Sequence, residues 1–285
     1  MSAGNRREGF ARILSGVCAW ISAAAILLIL GFLVTESLPA IRQIGLMELL
    51  TGLVWKPAEG KYGLLPMIAG TLAVTGVAVV LAAPLGILFA LFLAHFCPEK
   101  LRRPMRMMVS VMAGIPSVVY GFFGLEVLVP WLRTVTGTSG MSLLCAGLLL
   151  GMMIVPTVTE LSLSSMENVD PGCLQGSLAL GATPEHSALF AVLPAAGAGL
   201  ATAVVLGLGR AAGETMAVMM VAGNQALLPG GLLRGVRTLT ANLALEMGYA
   251  ADLHRQALTA SALVLLVIVL VLVLGLAWMK RRKHA

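Results

Sequence analysis

The sequence predicts an all-α integral membrane protein with six transmembrane helices. Of its 285 residues, 59% are hydrophobic and only 11% are charged, and the mean hydropathy is +0.95. Soluble globular chains carry about 25% charged residues, so a soluble domain is excluded. The apolar runs lack the strict alternation of a transmembrane β-barrel. They reach the roughly twenty residues that a helix needs to cross the hydrocarbon core.

Six apolar runs account for the spans, and the first is expected to remain in the mature protein. Arg6 and Arg7 precede it as in a secretion signal, but no clear small-residue cleavage site follows. The second run contains Pro84 and exceeds one straight span, so its start is expected to tilt or to lie along the membrane surface. The predicted spans are residues 13–35, 63–96, 105–132, 141–159, 194–224 and 257–279.

The distribution of basic residues predicts which ends of the spans face the cytoplasm. They cluster near both termini and after the second span, and they are sparser in the other loops. Because cytoplasmic loops are enriched in Lys and Arg, both termini are expected in the cytoplasm. The same rule explains the net charge of +6, so no nucleic-acid partner is expected. The clustered residues are Arg6, Arg7, Arg12, Lys100, Arg102, Arg103, Arg106, Lys280, Arg281, Arg282 and Lys283.

Two charged residues, Arg210 and Glu214, lie inside the fifth apolar run. A charge at mid-bilayer costs about 2.5–3.5 kcal/mol on insertion scales, so these residues are candidates for function. Four positions apart on a helix, they would share one face and could pair. One interpretation is an interhelical ion pair that fixes the packing of neighbouring small residues. The other is a translocation pathway, in which the planar fork of Arg210 binds an oxyanion and Glu214 tunes its charge.

No catalytic or metal-binding pattern accompanies this pair. The chain lacks the GxxxxGK[ST] motif of ATP-binding loops and the HExxH motif of zinc enzymes. Its four histidines are isolated and are expected to be solvated, and its four cysteines lack CxxC spacing and are expected to be free thiols. Transport is therefore favoured over membrane-bound catalysis.

A moderately polar segment, residues 161–190, separates the fourth and fifth spans on the predicted cytoplasmic side. Asp170 followed by Pro171 is typical of an N-cap and first helical position, which predicts a short helix up to Gly181. A helix this short has no core of its own. It either lies on the membrane surface or docks a cytoplasmic partner.

The same segment resembles the EAA loop of ATP-binding-cassette importer permeases. That loop reads Glu-Ala-Ala, three residues, Gly, nine residues, Ile, any residue, Leu-Pro. Here the Gly and Leu-Pro positions match at the family spacing, whereas the Glu, both Ala and the Ile are replaced. The residues assigned to ATPase coupling by this resemblance are Gln175, Gly176, Ser177, Leu178, Gly181, Leu193 and Pro194.

Longer matches over nearly the whole chain resemble phosphate-importer permeases of the PstC type. The most specific reads GLGRAAGETMAV and contains Arg210 and Glu214, and two later segments favour the PstC type over its PstA-type partner. The matching segments are residues 63–66, 70–72, 84–87, 115–121, 207–218, 238–240 and 245–248.

The resemblance implies a type I ABC importer permease (MetI-like) fold in a bacterial inner membrane, importing inorganic phosphate. A permease domain at 63–279, with a coupling loop at 161–193, would follow an N-terminal helix and periplasmic loop at 1–62. A basic cytoplasmic tail would occupy 280–285. The implied partners are a second, PstA-like permease, two ATP-binding subunits, a periplasmic phosphate-binding protein and membrane lipid. ATP and Mg would be bound by the ATPase subunits, and this chain would bind no cofactor.

Several further polar and charged residues have structural interpretations, in some cases beside functional ones. Ser117 and Tyr120 could line the pore, or their hydroxyls could satisfy backbone groups freed by a kink at Pro116. The periplasmic Arg234 and Arg237 could steer phosphate, touch the binding protein or be ordinary solvated charges. The acidic residues near span ends, Glu126 and Glu160, are expected at the membrane interface.

Two alternative functions stay open on the sequence alone. The chain could be a permease for another oxyanion or small solute, or a secondary transporter that works without an ATPase. The EAA-spaced loop argues against the second alternative. So does the lack of mid-membrane carboxylates arranged as a proton relay.

Overall fold

The computed structural model describes residues 3–282, with side chains described at residue 12 and over 14–275. Predictions about Arg6, Arg7 and the basic tail at 280–285 lie outside the described side chains. Within the described residues, the regular structure consists of α-helices, short 3-10 and π-helical stretches, and one small β-hairpin. The elements are α1 (Ala3–Ile44), α2 (Leu46–Thr51), β1 (Trp55–Lys56), β2 (Lys61–Tyr62), α3 (Leu65–Leu91), α4 (Glu99–Gly114), α5 (Ser117–Phe123), α6 (Val129–Thr136), α7 (Leu143–Glu167), α8 (Pro171–Ala179), α9 (Pro184–Ser187), α10 (Leu193–Ala195), α11 (Gly197–Gly213), α12 (Met216–Val221), α13 (Leu239–Glu246) and α14 (Asp252–Arg282).

Five helical stretches in the described residues are long and apolar enough to cross a membrane, and a bent pair of helices makes up to six. The predicted all-α membrane architecture is therefore confirmed, with the expected number of spans when the bent pair counts as one. The orientation of the termini stays a prediction. The stretches are Leu14–Ile44, Leu65–Phe96, Ser117–Thr136, Leu143–Glu167 and Asp252–Gly275, and the bent pair is Pro184–Ala195 with Gly197–Gly213.

The second span is longer than a bilayer requires, as its sequence indicates. It runs for 32 residues over Leu65–Phe96, which is about 48 Å at the α-helical rise, against a hydrocarbon core of about 30 Å. Pro84 lies inside α3 without ending it. The last turn, Phe92–Phe96, widens into a π-helix.

The third span is not the single helix predicted over residues 105–132. Helix α4 ends at Gly114, and Ile115 and Pro116 are extended, with ψ angles of 129° and 142°. The span itself runs over Ser117–Thr136. A residue before proline is pushed out of the helical region, and proline cannot donate the next helical hydrogen bond. The expected kink at Pro116 is thus a complete break, and α4 packs separately against α7.

The fifth span is also discontinuous, so the helix predicted over residues 194–224 is wrong. At its start, the chain bends by 70° between Pro184–Ala195 and Gly197–Gly213. At its end, Glu214 is extended with a ψ of 133°, and α12 begins only at Met216. The Glu214 carboxylate accepts hydrogen bonds from the backbone just after it. This local bonding competes with the continuation of the helix.

Small residues hold α3, α7 and α11 together at the centre of the molecule. A Cβ placed on Gly147 of α7 would lie 2.4 Å from Val77 Cγ1 of α3, and one on Gly86 of α3 would lie 2.9 Å from Val158 Cβ of α7. Such close backbone approach is the usual basis of helix association in membranes. Helix α11 packs on the same face, where Gly207 meets Val158. Helix α7 is therefore the scaffold against which the candidate site is built.

Candidate functional site

Arg210 lies near the end of α11 and is exposed on the surface of this chain. Its Nη1 atom donates to the Thr157 hydroxyl of α7 at 3.2 Å. Arg210 also lies close enough to Tyr120 of α5 to interact with it electrostatically. A guanidinium offers five donors, and the described side chains give Arg210 no acidic partner. The group is therefore able to accept an anionic ligand.

The predicted pairing of Arg210 with Glu214 is wrong, because the helix ends between them. Glu214 Oε1 instead accepts from the amides of Thr215, at 3.1 Å, and Ala217, at 3.3 Å. The carboxylate therefore acts as an N-terminal cap for α12, in the manner of a capping side chain. The Glu214 carbonyl accepts from the Thr240 hydroxyl at 2.8 Å. Glu214 is thus occupied with closing the break in the fifth span.

Tyr120 and Ser117 follow the break in the third span. The Tyr120 hydroxyl donates to the Met112 carbonyl at 3.0 Å, which also accepts from the Ile115 amide at 3.4 Å where α4 ends. This contact is the backbone-satisfying role that the sequence left open beside pore lining. Ser117 is the first residue of α5 and is partly buried. A pore-lining role for either residue stays a prediction.

A polar stripe on α7 continues from Arg210 toward the predicted cytoplasmic side. Thr157, Glu160 and Glu167 lie on one helix face, at spacings of three and seven residues. Ser110 donates to Glu160 Oε1 at 2.8 Å. Arg102 and Arg106 bind the two oxygens of Glu167 at 2.6 and 2.8 Å. The partners of Glu160 could not be predicted from its expected position at the membrane interface, although the regular spacing of these polar residues along α7 is visible in the sequence.

The segment with EAA-like spacing forms the predicted short helix, α8. Asp170 Oδ1 accepts from the Gly172 amide at 2.7 Å, so the predicted N-cap is confirmed. Gly181, with a φ of +89°, follows the helix in a left-handed conformation. No residue of α8 is buried, including Gln175, Gly176 and Leu178. Ser177 accepts from Ser187 at 2.9 Å, which ties α8 to α9.

Leu193 and Pro194, the Leu-Pro of the EAA-like spacing, lie at a different place in this segment. They begin the three-residue helix α10, directly before the 70° bend into the fifth span. Apolar side chains around α8 and α9 are unusually open, with Leu180 91% exposed and Phe190 68% exposed. The described part of the segment therefore presents a free apolar surface next to a bend that leads into the span of Arg210.

Sequence reasoning missed a polar network at the opposite end of the molecule, where Glu246 is its centre. Glu246 Oε1 accepts from Arg237 at 2.7 Å, and Oε2 accepts from the Trp55 indole at 2.8 Å and lies 2.9 Å from His254 Nε2. The side chains of Arg237 and His254 are only 18% and 15% exposed. The expectation of a solvated His254 is therefore wrong, and Arg237 is not an ordinary solvated charge. Arg234 is exposed, as expected.

A profile of the family described as "Binding-protein-dependent transport system inner membrane component" matches residues 82–284. The chain belongs to this family of permeases. The match begins inside α3 and includes the broken spans, α7 and the α8 segment. The family description confirms the prediction of a multi-pass membrane protein and gives the inner membrane as the location of its members.

Similarity to known relatives extends over nearly the whole length of the permease. It is 38% identical over 279 residues to "Probable ABC transporter permease protein YqgH" of Bacillus subtilis, covering 95% of this chain and 90% of the relative. It is 35% identical to the phosphate transport system permease protein PstC of Mesorhizobium japonicum, covering 76% and 72%. The probable PstC of Methanocaldococcus jannaschii is 32% identical, covering 90% and 89%. These similarities confirm the resemblance to PstC-type permeases.

Solved importers show the same fold. A chain of the bacterial alginate ABC transporter, in complex with a pentasaccharide-bound periplasmic protein, superposes with a TM-score of 0.69 at 16% identity, covering 97% of both chains. A chain of the MetNI methionine transporter in an inward-facing conformation gives 0.63 at 21% identity, covering 80% of the permease and 99% of that chain. At these identities the likeness concerns the fold, and it confirms the type I importer architecture.

Proposed function

We propose that the permease forms one half of the translocation pore of an ATP-driven importer of inorganic phosphate. The observation that carries this proposal is Arg210, an exposed guanidinium on an apolar span that donates a hydrogen bond to a neutral hydroxyl, that of Thr157. A charge in such a place is costly unless it faces a partner, a pore or a ligand. Arginine matches the geometry of phosphate oxygens with paired donors. The PstC relatives, named as phosphate permeases, support the same substrate.

The proposed complex contains a second, PstA-like permease, two ATP-binding subunits and a periplasmic phosphate-binding protein. ATP and Mg belong to the ATP-binding subunits, and this chain binds no cofactor, since its sequence has no ATP-binding loop. The exposed helix α8 is the proposed docking element, and the bend before Gly197 would carry its movement into the fifth span. The proposed permease domain spans 63–279, with the coupling loop at 161–193 and both termini in the cytoplasm.

Uptake by the reconstituted complex tests the substrate and the role of Arg210 together. Proteoliposomes with ATP inside should accumulate labelled phosphate, and external sulfate or molybdate should compete poorly. Arg210→Gln should abolish uptake while assembly stays normal, because the neutral amide lacks the charge that holds the anion. Arg133→Gln is the matched control, since Arg133 is an exposed arginine near the end of α6 whose hydrogen bond goes to the Ser139 carbonyl, six residues later in the chain.

Two results would contradict the proposal. Full phosphate uptake by Arg210→Gln would remove Arg210 from the pathway. Labelled sulfate or molybdate taken up in preference to phosphate would assign the permease to another oxyanion.

A further inference from the structure

A cavity of about 340 Å³ lies between the end of the second span, α4 and α7, outside the immediate surroundings of Arg210. Its apolar wall consists of Leu93, Val109 and Leu163. The polar lining residues are Arg106, Ser110, Thr159 and Glu160. Such a mixture of an apolar wall with a few convergent polar groups is typical of small-molecule sites.

One polar group of this cavity, the Thr159 hydroxyl, has no hydrogen-bond partner among the described residues. Thr159 is fully buried, at 0% exposure, and its Oγ1 atom forms no hydrogen bond among the described residues. A buried hydroxyl without a partner costs free energy and is rare in folded proteins. A hydroxyl can donate one hydrogen bond and accept two. Thr159 therefore has unused hydrogen-bonding capacity at the cavity wall.

The charged lining residues also keep free capacity. Glu160 accepts one hydrogen bond, from Ser110 to Oε1, although a carboxylate has about four acceptor positions. Arg106 uses Nη2 to bind Glu167 at 2.8 Å, which leaves its other donors for a ligand. The cavity thus joins a carboxylate acceptor, a hydroxyl and a guanidinium around one space.

The polar residues of the cavity continue the polar face of α7 that begins at the Arg210 site. Thr157, which binds Arg210, precedes Glu160 by three residues on the same face of α7. That spacing is slightly less than one helical turn, about 4.5 Å of rise. An anion leaving Arg210 toward the predicted cytoplasmic side would meet the Glu160 cavity next.

We propose that this cavity is a second phosphate site, in which Glu160 selects for a protonated oxyanion; this rests on the proposed function of the permease. Phosphate near neutral pH carries at least one P–OH group, which donates to the Glu160 carboxylate. Thr159 and Arg106 donate to the unprotonated oxygens. Sulfate and phosphodiester lipid headgroups carry no proton at this pH, so Glu160 repels them. The chemistry therefore favours free phosphate over a lipid phosphate as the occupant.

Inhibition of uptake by internal anions tests this site in the complete importer. The complex is reconstituted into phosphatidylcholine proteoliposomes. The lumen contains ATP and an increasing concentration of unlabelled phosphate or sulfate. Labelled phosphate and the phosphate-binding protein are added outside. Uptake of labelled phosphate by the wild-type complex should be slowed by internal phosphate and not by internal sulfate. Glu160→Gln should need about tenfold more internal phosphate for half-inhibition, the effect of losing roughly one charge-assisted hydrogen bond. It should also become sensitive to sulfate, because the amide can donate to an unprotonated oxygen.

Two further variants separate binding from folding and from effects on the ATPase. Thr159→Val removes the unpartnered hydroxyl and should also raise the half-inhibiting phosphate concentration, whereas a hydroxyl without a ligand would leave it unchanged. Glu126→Gln removes a carboxylate from the third span away from the cavity and should behave as wild type. Each rate is normalised to the same variant without internal anion, and assembly is checked by size-exclusion chromatography.

The outcomes are distinct for the cavity and for the proposed function. Equal half-inhibition in wild type, Glu160→Gln and Thr159→Val would overturn the second site, since inhibition would then arise at the ATPases. A wild-type inhibition curve that shifts when phosphatidylglycerol is added would overturn the assignment to free phosphate in favour of a lipid headgroup. No phosphate uptake by wild type at all would instead overturn the proposed function.

Discussion

Replacing Glu246 with alanine should destabilise the permease by about 3–5 kcal/mol, the usual cost of removing one partner of a buried ion pair. The carboxylate binds Arg237 at 2.7 Å and Trp55 at 2.8 Å, and it lies 2.9 Å from His254. The Glu246 side chain is only 10% exposed, so little water can reach the groups that it leaves. Arg237 keeps its contacts with the Asn224 carbonyl and the Asn242 side chain. These are neutral acceptors and do not replace the lost charge.

Thermal unfolding of the detergent-solubilised permease, followed by tryptophan fluorescence, measures this effect. Trp55 donates directly to Glu246, so its emission reports on the network itself. At about 2–4 °C per kcal/mol for a chain of this size, the midpoint should fall by roughly 6 °C or more. An unchanged midpoint would refute the reasoning, because it would mean that the network adds nothing to stability.

Glu59→Ala is the matched control for this prediction. Glu59 lies between β1 and β2 and pairs with Lys56 at 2.9 Å and Lys61 at 3.0 Å. Hydrogen bonds from these two lysines lower the pKa of Glu59, so it is ionised at neutral pH. Its surroundings are exposed, however, and surface ion pairs add little to stability. Its replacement should leave the thermal midpoint essentially unchanged. The comparison separates the effect of breaking a buried ion pair from the effect of removing one negative charge.

Three further substitutions test the coupling segment, the broken fifth span and the helix core. Gly181→Leu should prevent ATPase docking or uncouple hydrolysis from uptake, because the φ of +89° strains any side chain there; normal co-purification and coupled uptake would contradict it. The exchange Arg210→Glu with Glu214→Arg should not restore uptake, since the two side chains are not paired; recovered uptake would restore the ion-pair interpretation. Gly147→Val should lower stability by about 1–3 kcal/mol, since its Cβ would meet Val77 at 2.4 Å, and Val77→Ala should recover part of the lost thermal midpoint.

Features that depend on neighbouring residues could be predicted from the sequence. The start of α8 is an example, because the Asp170 side chain and the Gly172 amide that it binds are two residues apart. The number of spans follows equally from local composition, since each apolar run is long enough to cross a membrane. The EAA-like spacing could also be found, because it lies within one continuous segment.

The breaks in the third and fifth spans were harder to predict. Hydropathy depends on composition alone, and the apolar residues continue on both sides of Ile115 and of Glu214. Pro116 indicated a disturbance, but the extended backbone before it depends on α4 finding its own packing against α7. At Glu214, the same carboxylate that suggested an ion pair turned out to cap the next helix.

Contacts between distant parts of the chain could not be predicted at all. Trp55 and Glu246 are 191 residues apart in sequence, and Ser110 and Glu160 are 50 apart. In the sequence alone, each of these side chains has several plausible partners. Only the packing of the helices selects one of them. The Glu246 network and the Glu160 cavity therefore emerged only from the structure.

The two broken spans meet near Arg210, and the pathway interpretation rests on that side chain rather than on the breaks themselves. Helix α12 packs against α5, so the ends created at Pro116 and Glu214 lie in one region. Non-helical backbone at membrane depth is tolerated where it is buried in protein or lines a water-filled space. The backbone ends here are largely closed by the protein, because Tyr120 binds the Met112 carbonyl and Glu214 caps α12. Both breaks are thus satisfied within the protein, and the pathway interpretation depends on Arg210, which has no acidic partner among the described side chains.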